Sequence, residues 1–301
     1  MRLEIDLLLA ASNRTAARSD LLNVVTRAVL DDEIRRGRLV AVFPRAYARP
    51  FDADDPGVRL AAALASVGGD VALSHVTALG QWNLPVPSDT PLHVTAFQPR
   101  HPRGVPGELI VHRTLLPLGA GWCDGLPTVR PELCAITSWP LLDGTDQRAP
   151  LIEGARRGLL APQVVLALAE KMTWVRGVKG LRHLLGQIAA GCESELELWG
   201  YSEVFDVPGL RHGIRQHPVT VRGHRYRLDL AYLAPRVAVE LDGRAYHAGR
   251  EQWERDIARD LALATMGWQT VRLSHSRLMT DVAGCRRDVL AVLAARSRQA
   301  G

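Results

Sequence analysis

One stretch constrains the fold more than any other: Arg225 to Asp242, RYRLDLAYLAPRVAVELD. Apolar and polar residues alternate with a period of two on either side of Ala234-Pro235. That is the pattern of two half-buried strands joined by a tight turn. Tyr226, Leu228, Leu230 and Tyr232 share one face of the first strand, and Val237, Val239 and Leu241 one face of the second. With Ala234 and Pro235 as the whole loop, Leu233 stands opposite Arg236, Asp229 opposite Glu240 and Arg227 opposite Asp242. Cross-strand partners point to the same side of a sheet, so Asp229, Glu240 and Asp242 project together, away from the apolar face. Two opposed carboxylates repel, and a hard divalent cation between them reverses the sign.

The surroundings suit such a site. Pro218 to Val221 reads as a strand that turns at Arg222-Gly223-His224 into the hairpin. The segment Arg211 to Arg227 holds Arg211, Arg215, Arg222, Arg225 and Arg227, three histidines and no acid, which suits a phosphate-tracking surface. His247 lies five residues past Asp242. Trp253 to Met266 reads as an amphipathic helix, with Trp253, Ile257 and Leu261 inward and Arg255, Asp256, Arg259 and Asp260 outward. Gly267 ends it, a strand follows over Trp268 to Leu273, and a helix over Asp281 to Ala295. Upstream, Ser194 to Trp199 opens the region with Glu197 on a helix. Phosphodiester hydrolysis needs a metal to neutralise phosphoryl oxygens and a base to take the water proton. Asp229 and Glu240 meet the carboxylate count of a magnesium site, and a histidine titrates in the right range.

These motifs, SELE, RLDLAY, VAVELDG, YH, RD and GWQTVRLS in that order, resemble the uncharacterised domain family related to the very-short-patch-repair (Vsr) endonucleases, of the PD-(D/E)xK fold class. The resemblance implies a mixed sheet flanked by helices and hydrolysis of DNA with Mg2+ or Mn2+. It implies Asp229 and Glu240 as metal ligands, Asp242 where the classical motif has its lysine, His247 as the group that activates water, and Glu197 as the helical acid. Only Lys171 and Lys179 are lysines among the 37 basic residues, so the region has none to offer at that place.

The first fifty residues read as helix, helix, helix, hairpin. Leu3 to Ala10 is a short apolar stretch and Thr15 to Asn23 a second helix candidate. Thr26 caps a third helix, with Val29, Leu30 and Ile34 on one face, which Gly37 stops. Leu39 to Val42 and Ala46 to Ala48 flank a turn at Phe43-Pro44-Arg45. The segment SDLLNVVTRAVLDDEIRRGRLVAVFPRAYA resembles the N-terminal winged helix of AbiEi-type antitoxins. The resemblance implies a DNA-binding module with Arg27, Arg35, Arg36, Arg38 and Arg45 as contacts, and a cognate toxin as a partner. Asp31, Asp32 and Glu33 depart from this picture, because acids in a recognition helix repel phosphate.

The expected organisation is α/β (α+β): a winged helix-turn-helix at 1–50, an α/β connector at 51–191 and an endonuclease-fold domain at 192–301. The connector shows strands at LHVTAF and LIVHRT, a Ser74-capped helix and helical periodicity from Pro162 to Ala189. It shows no catalytic constellation, and His75 reads as a packing histidine. Cys123, Cys134, Cys192 and Cys285 are far apart with no C-x-x-C, so neither a zinc knuckle nor a disulfide framework is suggested. A net charge of +5 is compatible with DNA. The N-terminus lacks a signal-peptide pattern and no apolar run reaches membrane length, so a cytoplasmic protein is expected. The expected function is metal-dependent DNA cleavage in repair or phage defence. The alternative is a non-enzymatic antitoxin or repressor that keeps an inactive nuclease fold.

Overall fold

The computed structural model describes residues 2–97, 103–115, 119–192, 194–242 and 250–300. Two compact units emerge, one of residues 1–154 with 158–181 and one of 155–157 with 182–301. The fold class is mixed α/β throughout.

The first unit opens with α1 (Arg2–Ala11), β1 (Thr15–Ala17), α2 (Arg18–Val24), α3 (Arg27–Arg35), β2 (Val40–Phe43) and β3 (Ala46–Ala48). The strands form one antiparallel sheet in the order β1-β3-β2. Thr15 to Ala17 is therefore a strand and not the start of a helix. The Thr15 hydroxyl donates to the Tyr47 carbonyl, the Arg18 N–H donates to the Arg45 carbonyl, and the helix begins only at Arg18. Ile5, Leu9, Ala16, Leu21, Val25, Leu30 and Leu39 close a small core beneath the helices.

The acidic run on α3 is absorbed within the fold. Glu33 is buried and accepts from Arg38 at 2.7 Å and from Arg49 at 3.4 Å. Asp31 pairs with Arg18, and Asp32 with Arg35, Arg36 and Arg38. Glu33→Ala leaves two guanidinium groups without their buried acceptor. It is expected to destabilise the protein by about 2 kcal/mol in urea unfolding, less than a fully buried pair because Arg38 can rehydrate.

Next come α4 (Pro56–Val67), β4 (Val71–Leu73), α5 (His75–Gln81), β5 (Leu92–Phe97), β6 (Leu109–Thr114), β7 (Ala120–Cys123) and β8 (Leu126–Val129). Asp55 caps α4 by accepting from the N–H groups of Gly57 and Val58. Buried Ala61, Ala62 and Ala63 keep α4 slim. Its core runs from Phe43 and Ala46 on the first sheet to Val71, Leu73 and Val94 on the next. That second sheet has the order β6-β5-β4-β8-β7. The helices α6 (Pro131–Ser138), α7 (Gly144–Arg156), α8 (Pro162–Lys171) and α9 (Val178–Ala189) follow.

The rest of the second unit is α10 (Glu195–Gly200), β9 (Ile214–Val221), β10 (His224–Tyr232), β11 (Val237–Asp242), α11 (Arg250–Thr265), β12 (Gln269–Ser274), α12 (His275–Thr280) and α13 (Val282–Ala300). Its sheet has the order β12-β11-β10-β9. The strands β9, β10 and β11 are antiparallel neighbours, and β12 joins β11 in parallel after α11. Pro218 is tolerated because β9 is an edge strand. All four cysteines are free thiols. No described helix is long and apolar enough to cross a membrane.

Candidate active site

The turn at Ala234-Pro235 is closed by the Arg236 N–H donating to the Leu233 carbonyl at 3.1 Å. The hairpin register is the one expected from a two-residue loop, with Leu230 opposite Val239, Ala231 opposite Ala238 and Tyr232 opposite Val237. At the next step the strands part. The Asp229 side chain takes over there, its Oδ2 accepting from the Leu241 N–H at 2.9 Å. Asp229 is thereby fixed at the mouth of the opening, close enough to Glu240 for their charges to interact.

Glu240 is buried on β11, and its Oε1 accepts from Arg259 Nη2 of α11 at 2.8 Å. The same guanidinium nitrogen donates to the Arg227 carbonyl at 2.7 Å, which ties α11 to β10. The expected face of α11 is wrong in this respect. Ile257 and Leu261 are exposed, while Arg259 turns to Glu240, Asp260 pairs with Arg272 of β12, and Leu263 is buried. The helix presents charged groups where it meets the carboxylate face of the sheet.

Glu197 enters from α10. Ser194, the N-cap, accepts from the Glu197 N–H at 3.1 Å and donates to its Oε1 at 2.9 Å, a local variant of the capping box. Gln216 then links the acids, its Nε2 lying 2.9 Å from Glu197 Oε2 and 3.5 Å from Asp229 Oδ1. Tyr201, in the π-helical turn Tyr201–Phe205, donates to the Asp229 carbonyl at 2.7 Å, with the Arg215 guanidinium 4.4 Å from its ring centre. Glu197 does not converge with Asp229 and Glu240 as a third ligand. Among the described residues, the group of three metal-type side chains whose ligand atoms lie within 4.8 Å of one another is in the first unit.

The electrostatics follow from desolvation. Burial raises the Asp229 carboxyl above its ordinary value, partly offset by the Leu241 N–H and by Arg259. Burial and then the Asp229 charge push Glu240 up to about 7, against the pull of Arg259 and Arg272. The donor set fits a hard cation. Two carboxylates resist ionising side by side, and the buried Gln216 Oε1 has no hydrogen-bond partner among the described residues.

Asp242 ends β11 opposite Ser274, and His247 lies outside the described residues. Arg222, Arg225 and Arg227 are exposed along the β9–β10 hairpin. Gln216, Tyr201 and Arg259 escaped the reading of the sequence. Arg259 reads as facing outward, and neither Gln216 nor Tyr201 carries a signal of its own, because their partners come from other elements.

Residues 210–293 match the model of the family REase_MTES_1575, which is restriction-endonuclease-like. The C-terminal unit thus carries a nuclease-like domain, and folds of this kind typically use divalent metals. The chain is also 28% identical to "Uncharacterized protein MT2308" of Mycobacterium tuberculosis (strain CDC 1551 / Oshkosh), over 82% of this chain and 89% of that protein. The same identity and coverage hold for "Uncharacterized protein Rv2248" of Mycobacterium tuberculosis (strain ATCC 25618 / H37Rv). That span is longer than either compact unit.

Proposed function

We propose that the protein is a metal-dependent DNA endonuclease. In this reading residues 1–50 are a winged-helix DNA-binding module, 51–191 a connector and 192–301 the nuclease. The observation that carries it is the pair of half-buried Asp229 and buried Glu240, each held in place and each raised toward its neutral form, within the restriction-endonuclease-like match.

Bound between these two carboxylates, Mg2+ or Mn2+ would neutralise the phosphoryl oxygens and make hydroxide available near neutral pH. The chain's own groups do the rest. Asp229 is aimed by the Leu241 N–H, and Glu240 is held by Arg259. Asp242 supports them from the end of the strand, Gln216 keeps Glu197 and Asp229 in register, and His247 takes the water proton. Arg222, Arg225 and Arg227 contact phosphates.

For residues 1–50, the support is the order helix, strand, helix, helix, strand, strand with the sheet order β1-β3-β2. Along α3 and at its C-cap, the side chains of Arg27, Arg35 and Arg36 are 82%, 74% and 57% exposed. Because Glu33 is turned inward and Asp31 and Asp32 are matched by arginines, phosphate repulsion by the acidic run is reduced. Arg38 and Arg45 act from anchored positions, on Glu33 and on the Ser66 carbonyl. Such a module places its last helix in the major groove.

One observation favours a second reading. Arg259 already neutralises Glu240, as it would in a retained fold that represses a promoter beside a cognate toxin. Plasmid nicking by the purified protein separates the two. The expected result is nicking with Mg2+ or Mn2+ that EDTA abolishes. No cleavage of supercoiled, relaxed or single-stranded DNA, together with tight binding to its own promoter, would replace the endonuclease by the regulator.

A further inference from the structure

The first unit holds a second cluster of chemical groups, unrelated to the carboxylates. His75 begins α5, His93 lies on β5 and His112 on β6. The parallel pairing of β5 with β6 sets His93 opposite Ile110 and Thr95 opposite His112, so both histidines lie on one face of adjacent strands. His93 Nδ1 is 2.9 Å from His112 Nε2. The His75 ring stacks on His112, with centroids 3.6 Å apart and planes 16° off parallel, and lies 5.7 Å from His93. One ring nitrogen of each lies within 4.8 Å of those of the other two. His75 is thus no isolated packing histidine.

Ordinary core packing accounts poorly for this arrangement. Three rings with polar edges are gathered on one another, with His93 and His112 joined by a hydrogen bond. His75 also adopts φ of +51°, a left-handed conformation that costs a non-glycine residue about 1 kcal/mol. Its Nδ1 meets the Ser74 hydroxyl at 2.9 Å, and Thr95 donates to that hydroxyl at 2.8 Å. Ser74 stands at the N-cap of α5 yet makes no capping bond, because its oxygen orients His75 instead. A hydroxyl or carbonyl on one imidazole nitrogen, leaving the other available, is how metal-binding histidines are oriented.

We propose that His75, His93 and His112 bind one transition-metal cation of the zinc class, one nitrogen each, with a fourth position left to water or an external ligand. Three imidazoles with no carboxylate in the group favour Zn2+, Co2+, Ni2+ or Cu2+ over Mg2+ or Ca2+. Burial keeps the rings in the neutral, ligating form: His75 is pushed down to about 2 and His93 to about 4, and His112 is lowered too. Ligands about 2.0–2.1 Å from a tetrahedral ion stand about 3.3 Å apart. An imidazole ligates in its own plane, so the His75 ring turns off the face of His112 on binding, and the close His93–His112 pair opens slightly. The proton shared by His93 and His112 moves to the outer nitrogen of the ring that donated it, so each ring stays neutral and none is released. The ion would tie the start of α5 to β5 and β6.

The test uses the full chain without a histidine tag, stripped with a chelator and titrated with Co2+ and then Zn2+. One equivalent of Co2+ is expected to raise the visible absorption of a tetrahedral site, and Zn2+ to abolish it and raise the melting temperature. His112→Gln and His75→Gln should each lose this absorption with their circular dichroism unchanged, whereas Asp229→Asn should keep it. The proposal is overturned if the stripped wild type shows no such absorption, or if it persists in a folded histidine variant. Should neither variant fold, the wild-type titration decides.

Discussion

Asp229→Asn is expected to lower metal-dependent DNA cleavage about 10³-fold with the fold intact. The two halves of that expectation rest on different contacts. Asparagine keeps a side-chain oxygen for the Leu241 N–H, and Tyr201 bonds the main-chain carbonyl of residue 229, which the change leaves in place. The strands therefore open at the same point. What disappears is one of two negative charges facing the cation. A bound metal supplies several kcal/mol of transition-state stabilisation, and losing about 4 kcal/mol of it is close to a thousandfold in rate. EDTA removes any cation, including one at the histidine cluster, so this variant is what assigns cleavage to the carboxylates. Steady-state nicking rates beside circular dichroism decide it: a folded variant that cleaves as the wild type does removes Asp229 from the chemistry.

The hairpin was legible because two constraints coincide in it. A strand period of two fixes faces, and a two-residue loop fixes register. Together they set Asp229 and Glu240 on one side before any tertiary contact is considered. The same logic misled at α11. Hydrophobic periodicity assumes that a helix turns its apolar stripe to the core, but the surface awaiting α11 carries Glu240 and Arg272. Charged residues face inward there, and Ile257 and Leu261 are left outside. Thr15 to Ala17 was misread for a related reason. Its pairing partner, Ala46 to Ala48, is distant in sequence, and alanine carries no strand signal of its own. Gln216 was invisible because its role depends on Glu197 and Asp229 arriving from two other elements. The histidine cluster has no local spacing either, since its members come from a helix start and two strands.

Glu240→Gln is expected to flatten the stability of the metal-free protein against pH. The direction follows from where the proton binds more tightly. Glu240 rises from 4.5 to about 7 on folding, chiefly by desolvation and then by the charge of Asp229. A carboxyl with a raised folded value favours folding fully below pH 4.5 and loses that contribution as the pH climbs to about 7. A rise of about 2.5 units corresponds to about 3 kcal/mol, lost mostly between about pH 5 and pH 7. Glutamine keeps an oxygen for Arg259 without the charge, so the variant should be the more stable protein at pH 8 in EDTA and nearly equal to the wild type below pH 5. Asp229, raised in the same direction, leaves both proteins a residual slope. Urea unfolding at both pH values gives the comparison, and equal slopes in the two proteins would contradict it. Magnesium should then stabilise the wild type at pH 8 and leave the variant almost unchanged. The charge that makes the empty site unfavourable is the one a cation binds, so the substitution that strengthens the apo fold should also end cleavage.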